Sequence, residues 1–334
     1  MIGTTVRGEA RLARSATETE APEDARVIAF ARLTGSRLAS CYRKYSATLM
    51  ADGRVLVAGG FDASEGSVAS ALIFDPKSST FSATGSMETA RGGHSAILLR
   101  DGRVLIEGGL VSSCCEPIHV TTAELYDPAT GTFRPTSAIS ASLGDWASAV
   151  LDDGRVLFVG GSGRFDNPPA PAELYDPATG TVSPTGSMVA GWAGSATVLN
   201  DGRVLVLGRA SNLPFGMMPA WLPDAELYNP KTSTFTVTGK FDAPGSIALP
   251  LESATLLADG RVLILGASTN GAVPHGAATT AQLYDPKTGT FARTAPMTIP
   301  RSGRAVALLK DGHVLVAGGD GQHDYLASAE IFEP

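Results

Sequence analysis

The sequence predicts an all-β fold, a six-bladed β-propeller of four-stranded antiparallel blades closed by an outer strand from near the N-terminus. Three observations carry this. An apolar stretch that opens on Asp-Gly recurs six times, at 52–60, 101–109, 153–161, 201–209, 259–267 and 311–319. A second unit, Ala-Glu-Leu-Tyr-Asp-Pro-Ala-Thr-Gly-Thr-Phe at 123–133, returns at 71–81, 172–182, 225–235 and 281–291, and a sixth copy, 329–334, is cut short. The Asp that marks each first unit recurs at intervals of 49, 52, 48, 58 and 52 residues, the period of a propeller blade and too long for helical repeats.

Each element follows from local chemistry. Asp-Gly suits a two-residue type I′ hairpin turn, whose central positions need φ > 0, which Gly tolerates and Asp approaches. In the second repeat this places strand a at 95–99 and strand b at 104–109. Strand b is apolar at nearly every position, so both of its faces need covering. Strand c, 123–126, ends at Asp-Pro, and the Thr-Gly that follows turns the chain into strand d, 132–136. The sixth repeat stops before its strand d. Residues 29–36, Ala-Phe-Ala-Arg-Leu-Thr-Gly-Ser, resemble Thr-Phe-Ser-Ala-Thr-Gly-Ser at 80–86 and are expected to supply it, removing the free edges of an open array. Residues 26–334 then form one domain. Residues 1–25 alternate charges with Ala and Thr and hold no apolar run, which reads as a disordered or loosely attached leader.

The repeats resemble the kelch family. Gly59-Gly60, Gly108-Gly109, Gly160-Gly161 and Gly318-Gly319 are each followed by a Tyr or Phe in strand c, and the resemblance spans roughly nine-tenths of the chain. Blades 4 and 5 depart from it with Gly208-Arg209 and Gly266-Ala267, and Phe81, Phe133, Phe235 and Phe291 stand where kelch repeats usually carry Trp. Kelch propellers include oxidases, sugar isomerases and adaptors, so the resemblance implies the fold and leaves the function open. The two-Tyr, two-His copper set of the galactose oxidase branch has no residue-by-residue counterpart here.

A net charge of -7 without any Lys/Arg run argues against a nucleic-acid partner, and 43% hydrophobic residues fits a soluble globular protein. No stretch has the length of a membrane-spanning helix. As written the chain is expected in the cytoplasm; a removed signal peptide would make it secreted or periplasmic.

Propeller geometry sends the short, nearly identical a-to-b and c-to-d turns to one rim and every long, irregular connection to the other. All three Trp (146, 192, 221), all three Cys (41, 114, 115) and four of five His (94, 119, 275, 323) map to the irregular rim. Binding chemistry usually sits on such loops. Seven residues before each turn Asp, at the opening of strand a, stand Tyr45, His94, Trp146, Gly194, Glu252 and Arg304. Strand a is innermost, so these should ring the mouth of the central channel, where their chemistry suits proton transfer and charge stabilisation. Glu107 replaces an apolar residue in its column. With a two-residue turn it pairs with Ala96 and lies diagonally across from His94, so a His94/Glu107 contact is expected that favours the protonated imidazole and makes His94 a general base near neutrality. The alternative is that backbone groups satisfy both, and that Arg304 merely pairs with Glu252.

The loop 211–223 and Ile247, Leu249 and Leu251 are apolar enough to roof the pocket, with Phe215, Met217 and Trp221 touching substrate beside Trp146, Trp192 and Arg209. An oligomer interface is the other reading of that loop. Cys41, Cys114, Cys115 and His119 lie on neighbouring connections and have the donor types for zinc or copper. Their spacing matches no known finger or cluster, and one disulfide plus a free thiol explains the cysteines equally well, so no cofactor is favoured. The first reading is a cofactor-independent lyase, isomerase or cyclase acting on a small organic molecule with an apolar or aromatic body, using His94, Glu107, Tyr45, Glu252 and Arg304; the alternatives are a non-catalytic module that binds a glycan or a protein segment on the same rim, and a metal-dependent enzyme with the Cys/His ligands of blades 1 and 2.

Overall fold

Each Asp-Gly turn closes a hairpin in the same way. In the second repeat the Leu99 amide donates to the Arg103 carbonyl at 2.8 Å and the Gly102 amide to the Leu99 carbonyl at 3.0 Å, leaving a three-residue loop of Arg100, Asp101 and Gly102. Gly102 has φ +86° and Asp101 stays at negative φ, so this is a type I turn closed by a left-handed Gly, not the two-residue type I′ turn the dipeptide suggests. The Asp earns its place through its side chain. Asp101 accepts the Arg103 amide at 3.0 Å on one oxygen and the Arg103 Nε at 2.9 Å on the other. The c-to-d turn uses the same device: Asp127 Oδ1 accepts the Ala129 amide at 2.9 Å, and Gly131, at φ +68°, donates to the Asp127 carbonyl at 2.8 Å.

The computed structural model describes residues 45–62, 66–111, 118–137, 146–160, 172–189, 192–210, 222–240, 253–266, 279–301, 305–318, 326 and 328–334. Blade 1 comprises β1 (Ser46–Leu49), β2 (Val55–Ala58), β3 (Ala71–Asp75) and β4 (Thr80–Ala83), and blade 2 comprises β5 (Ser95–Leu98), β6 (Val104–Glu107), β7 (Ala123–Asp127) and β8 (Thr132–Thr136). Blade 3 follows with β9 (Trp146–Val150), β10 (Val156–Gly160), β11 (Glu173–Asp176) and β12 (Thr181–Pro184). Blade 4 has β13 (Trp192–Val198), β14 (Val204–Ala210), β15 (Leu222–Asn229) and β16 (Thr234–Val237). Blade 5 has β17 (Ser253–Leu256), β18 (Val262–Leu265), β19 (Ala281–Asp285) and β20 (Thr290–Arg293). Blade 6 shows β21 (Ala305–Leu308), β22 (Val314–Ala317) and β23 (Ala329–Phe332) among the described residues. Every sheet is antiparallel in the order a-b-c, followed by d in blades 1 to 5, and the whole is a six-bladed β-propeller. Residues 29–36, expected to complete blade 6, lie outside the described residues, as does the proposed leader.

The core is a set of layers between blades. Val104 and Ile106 of strand b pack with Ala96 and Leu98 against Leu56, Ala58 and Ile73 of blade 1, while Leu99, Leu105 and Ile97 pack against Val156 and Phe158 of blade 3. Strand b is apolar throughout because successive side chains enter different layers. At the outside of the layer Tyr126 meets Phe133 with ring centroids 4.8 Å apart, and its hydroxyl reaches Thr84 Oγ1 of blade 1 at 2.9 Å.

The double glycine ends strand b and lets the next connection cross over it. Gly59 and Gly60 have φ +62° and +106°, and the Gly60 amide donates to the Arg91 carbonyl at 2.9 Å. A Cβ on Gly59 would strike that carbonyl and approach within 2.6 Å of the His94 ring. Blade 4 has Gly208-Arg209 instead, and there the strand does not turn away. β14 runs on to Ala210, paired with Leu222 of β15, so a longer ribbon rises from the irregular rim.

Candidate functional site

The residues that open strand a occupy equivalent places in four consecutive blades. Tyr45 and His94 immediately precede β1 and β5 and are half-buried. Trp146 is the first residue of β9, opposite Gly160, and Gly194 sits in β13 where the pairing with β14 shifts between Ala193 and Ser195. That irregularity is a β-bulge, a device that re-aims neighbouring side chains. Trp192 and Arg209 are direct cross-strand partners at the rim end of the same hairpin. His119 bridges to Leu110 in the b-to-c connection of blade 2. Glu252, Arg304, Phe215, Met217, Trp221, Cys41, Cys114, Cys115 and the segment holding Ile247, Leu249 and Leu251 lie outside the described residues.

His94 has the most defined surroundings. Its Nε2 is 2.7 Å from Ser46 Oγ of blade 1, and its Nδ1 is buried. Burial lowers the imidazole pKa to about 4, the positive charge of Arg91 pushes the same way, and the Arg91 backbone opposes them weakly. His94 is therefore neutral at pH 7, with one nitrogen engaged by a hydroxyl. The expected protonated imidazole is not what this site holds.

The expected pairing of Glu107 is corrected by the same turn that shapes the hairpin. A three-residue loop in place of two shifts the register by one, so Glu107 pairs with Ser95 and Ala96 with Ile106. Glu107 thus lies on the sheet face of Ile97 and Leu105, toward blade 3, where Ser95 Oγ is 3.5 Å from Ser148 Oγ. His94 is on the other face, toward blade 1. Glu107 is fully buried, and its charge bears on Arg91: burial lowers the Arg91 pKa, while the carboxylates of Glu124 and Glu107 raise it.

Arg91 was not singled out from sequence, although it holds the segment that carries His94. It is wholly buried and donates from Nη1 to the carbonyls of Gly108 and Thr122 at 3.0 and 2.7 Å, and from Nη2 to Glu124 Oε1 at 2.9 Å. Glu124 also accepts the amides of Glu88 and Thr89. Blade 6 repeats the arrangement, with Arg301 on the carbonyls of Gly318 and Ser328 and on Glu330. The available signal was Met-x-x-x-Arg at 87–91 and 297–301, set against the Glu of strand c.

The regular rim also holds a feature that sequence reading passed over. A cleft of about 430 Å³ lies between the turns of blades 3 and 4, lined by Asp152, Asp153, Asp201, Arg203, Asn229 and Lys231. Two of its acids are held in hairpin closure, Arg203 pairing with Asp201 at 2.7 Å and Arg155 with Asp153 at 2.6 Å, and Asp152 pairs with Arg100 of blade 2 at 3.1 Å. Among the described residues no group of three or more His, Cys, Asp or Glu is arranged to hold a metal ion, and no helix is long and apolar enough to cross a membrane.

No family model matches the sequence, and no curated protein matches it. Among solved structures, that of YjhT is similar to this chain, with a TM-score of 0.64 and 14% sequence identity over 86% of this chain and 94% of that one. At that identity the likeness concerns the propeller fold alone.

Proposed function

We propose that this chain is a kelch-type propeller that binds a small organic molecule at the irregular rim of its central channel and performs acid-base chemistry on it, as a cofactor-independent lyase, isomerase or cyclase. The observation that supports the reading is His94, a neutral imidazole fixed by Ser46 at 2.7 Å beside the opening of strand a. A neutral ring takes up a proton, and the Ser46 hydroxyl holds its orientation while it does so. Tyr45, in the equivalent position one blade earlier, is the proposed return donor, with Glu252 as its alternative. Arg304 and Arg209 are assigned to developing negative charge, and Trp146, Trp192, Phe215, Met217 and Trp221 to the apolar or aromatic body of the substrate. Glu107, on the far face of blade 2, is given no direct role with His94.

The proposal is tested by screening a panel of small organic acids, sugars and aromatic metabolites for thermal stabilisation, then following each hit by NMR for conversion. His94→Gln is expected to keep ligand-induced stabilisation and to lose about 100-fold or more in turnover. Ligand binding without conversion by the wild type, unchanged in His94→Gln, would sink the enzyme reading. The second reading, a non-catalytic binding module, is favoured by one specific observation: with its pKa near 4, His94 is a weak base.

A further inference from the structure

One column of strand a, set by the Gly of each Asp-Gly turn, holds Ser46, Ser95, Ser195 and Ser253, with Ala147 and Ala305 in blades 3 and 6. These hydroxyls are used differently. Ser95 Oγ faces Ser148 Oγ at 3.5 Å, and the Ser195 and Ser253 oxygens are buried with no hydrogen-bond partner among the described residues. Among the described residues Ser46 is the one of the four that meets an imidazole, its Oγ lying 2.7 Å from His94 Nε2, and both residues are half-buried. The tautomer of the ring fixes the direction of that bond. With Nε2 taken by Ser46, the ring's contact with the Arg91 backbone, which raises the ring pKa, belongs to Nδ1, whose N–H donates to the carbonyl. A Cβ on Gly59 would meet both the Arg91 carbonyl oxygen and His94 Cε1, so the two stand side by side there. Nε2 of the neutral ring is then an acceptor, and the Ser46 hydroxyl donates to it.

We propose that Ser46 is a nucleophile with His94 as its general base, so that this chain cleaves carboxylic esters by acyl transfer at the irregular rim. A hydroxyl aimed at a basic ring nitrogen, with the far nitrogen anchored, is the arrangement that activates serine; here a main-chain carbonyl stands where a carboxylate often does. A donor for the developing oxyanion lies one residue on. The Met50 amide donates to the Arg54 carbonyl at 2.8 Å, which sets the alternation: Thr48 and Ser46 bond toward β2, and the Ala47 amide leaves β1 at its free inner edge, toward the channel. Ala47 is exposed there. In the first step Ser46 Oγ bonds to the acyl carbon as its proton passes to His94 Nε2. The bond from that carbon to the alcohol oxygen then breaks, and the departing oxygen takes the proton. In the second step a water oxygen bonds to the acyl carbon while His94 accepts a proton from the water, and Ser46 Oγ departs and takes that proton back. The inference goes beyond the acid-base reading, with which it shares His94.

The full-length protein treated with p-nitrophenyl acetate tests this, with the acetylated peptide located by mass spectrometry. A burst of p-nitrophenol with the acetyl group on Ser46 is expected, absent in Ser46→Ala and slowed about 100-fold or more in His94→Gln, while Ser195→Ala, from the same column, acylates as the wild type does. The pH profile of the wild type gives a second measurement that needs no variant to fold. Burial and the charge of Arg91 hold the His94 pKa at about 4, so the acylation rate should stay level from about pH 7.5 to about pH 5.5 and fall only below about pH 5. No burst, an acetyl group on another residue, an equal burst in Ser46→Ala, or a rate that already falls near the ordinary imidazole pKa of about 6.5 would each overturn the proposal. If a metabolite were converted equally by wild type and Ser46→Ala while neither was acetylated, the role of Ser46 would go and the acid-base reading would stand.

Discussion

His94 is held neutral by its surroundings, and that has a consequence for stability. Burial lowers its pKa from the ordinary value of 6.5 to about 4, so between those values the unfolded chain binds a proton that the folded one refuses. The stability that goes with the neutral ring is complete above about pH 6.5 and is lost as the pH falls toward 4, by about 2 kcal/mol after allowance for partial exposure. Urea unfolding of wild type and His94→Gln at pH 7 and pH 4.5 checks this: the wild type is expected to lose stability relative to the variant on acidification. An equal loss in both proteins would remove His94 from the account. Gly59 tests the same packing from the other side. Its φ of +62° disfavours any side chain, and a Cβ there would meet the Arg91 backbone and the His94 ring, so Gly59→Ala is expected to cost about 2–4 kcal/mol and to perturb the His94 ring resonances in NMR. Ala at the turn residue Gly102, where nothing lies within 4 Å of the added carbon, should strain the backbone without touching His94.

The strands, the positions of the turns and the blade count were legible because each repeat marks its own turns, and six copies of the same mark agree. Register was not legible. Strand b is buried on both faces, so its sequence carries no alternation to say which residues share a face, and a two-residue and a three-residue loop fit the same Asp-Gly. The one-residue difference moved Glu107 away from His94. The Arg91 clamp was hidden for a different reason: an isolated Arg in a connection reads as a solvated residue until its carbonyl partners are in place. Removing it leaves Glu124 buried without its guanidinium, and Arg91→Ala is expected to cost about 3–5 kcal/mol in denaturant unfolding, against less for Arg301→Ala, whose partner Glu330 has an 18% exposed side chain. The c-to-d turns offer the opposite kind of change. Ser79 and Ser233 hold φ of 55° and 56° where blades 2, 3 and 5 use Gly, so Ser233→Gly should stabilise by about 0.5–1 kcal/mol, whereas Gly131→Ser should destabilise by a similar amount.

At the scale of the ring, apolar layers join blade 1 to 2, 2 to 3, 3 to 4, 4 to 5 and 5 to 6 among the described residues. The sixth contact, from blade 6 back to blade 1, is where Ile331 is 60% and Leu49 45% exposed. Consecutive blades are tied by the chain as well as by packing, but these two are joined only by packing and by whatever strand completes blade 6. A closed toroid opens where its contacts are fewest, so this seam should be the first part to come apart, before the strands buried on both sides. Val156 and Leu157 of β10 and Val204 to Val206 of β14 are essentially inaccessible and belong to the last part to open. Native-state hydrogen exchange across a urea series reads this directly. Amides of β1 and β23 are expected to share one opening reaction with a free energy and urea dependence below those of β10 and β14. If all four strands exchanged through a single opening with the full urea dependence of global unfolding, the seam would be as strong as the other layers and the ring would have no preferred point of entry.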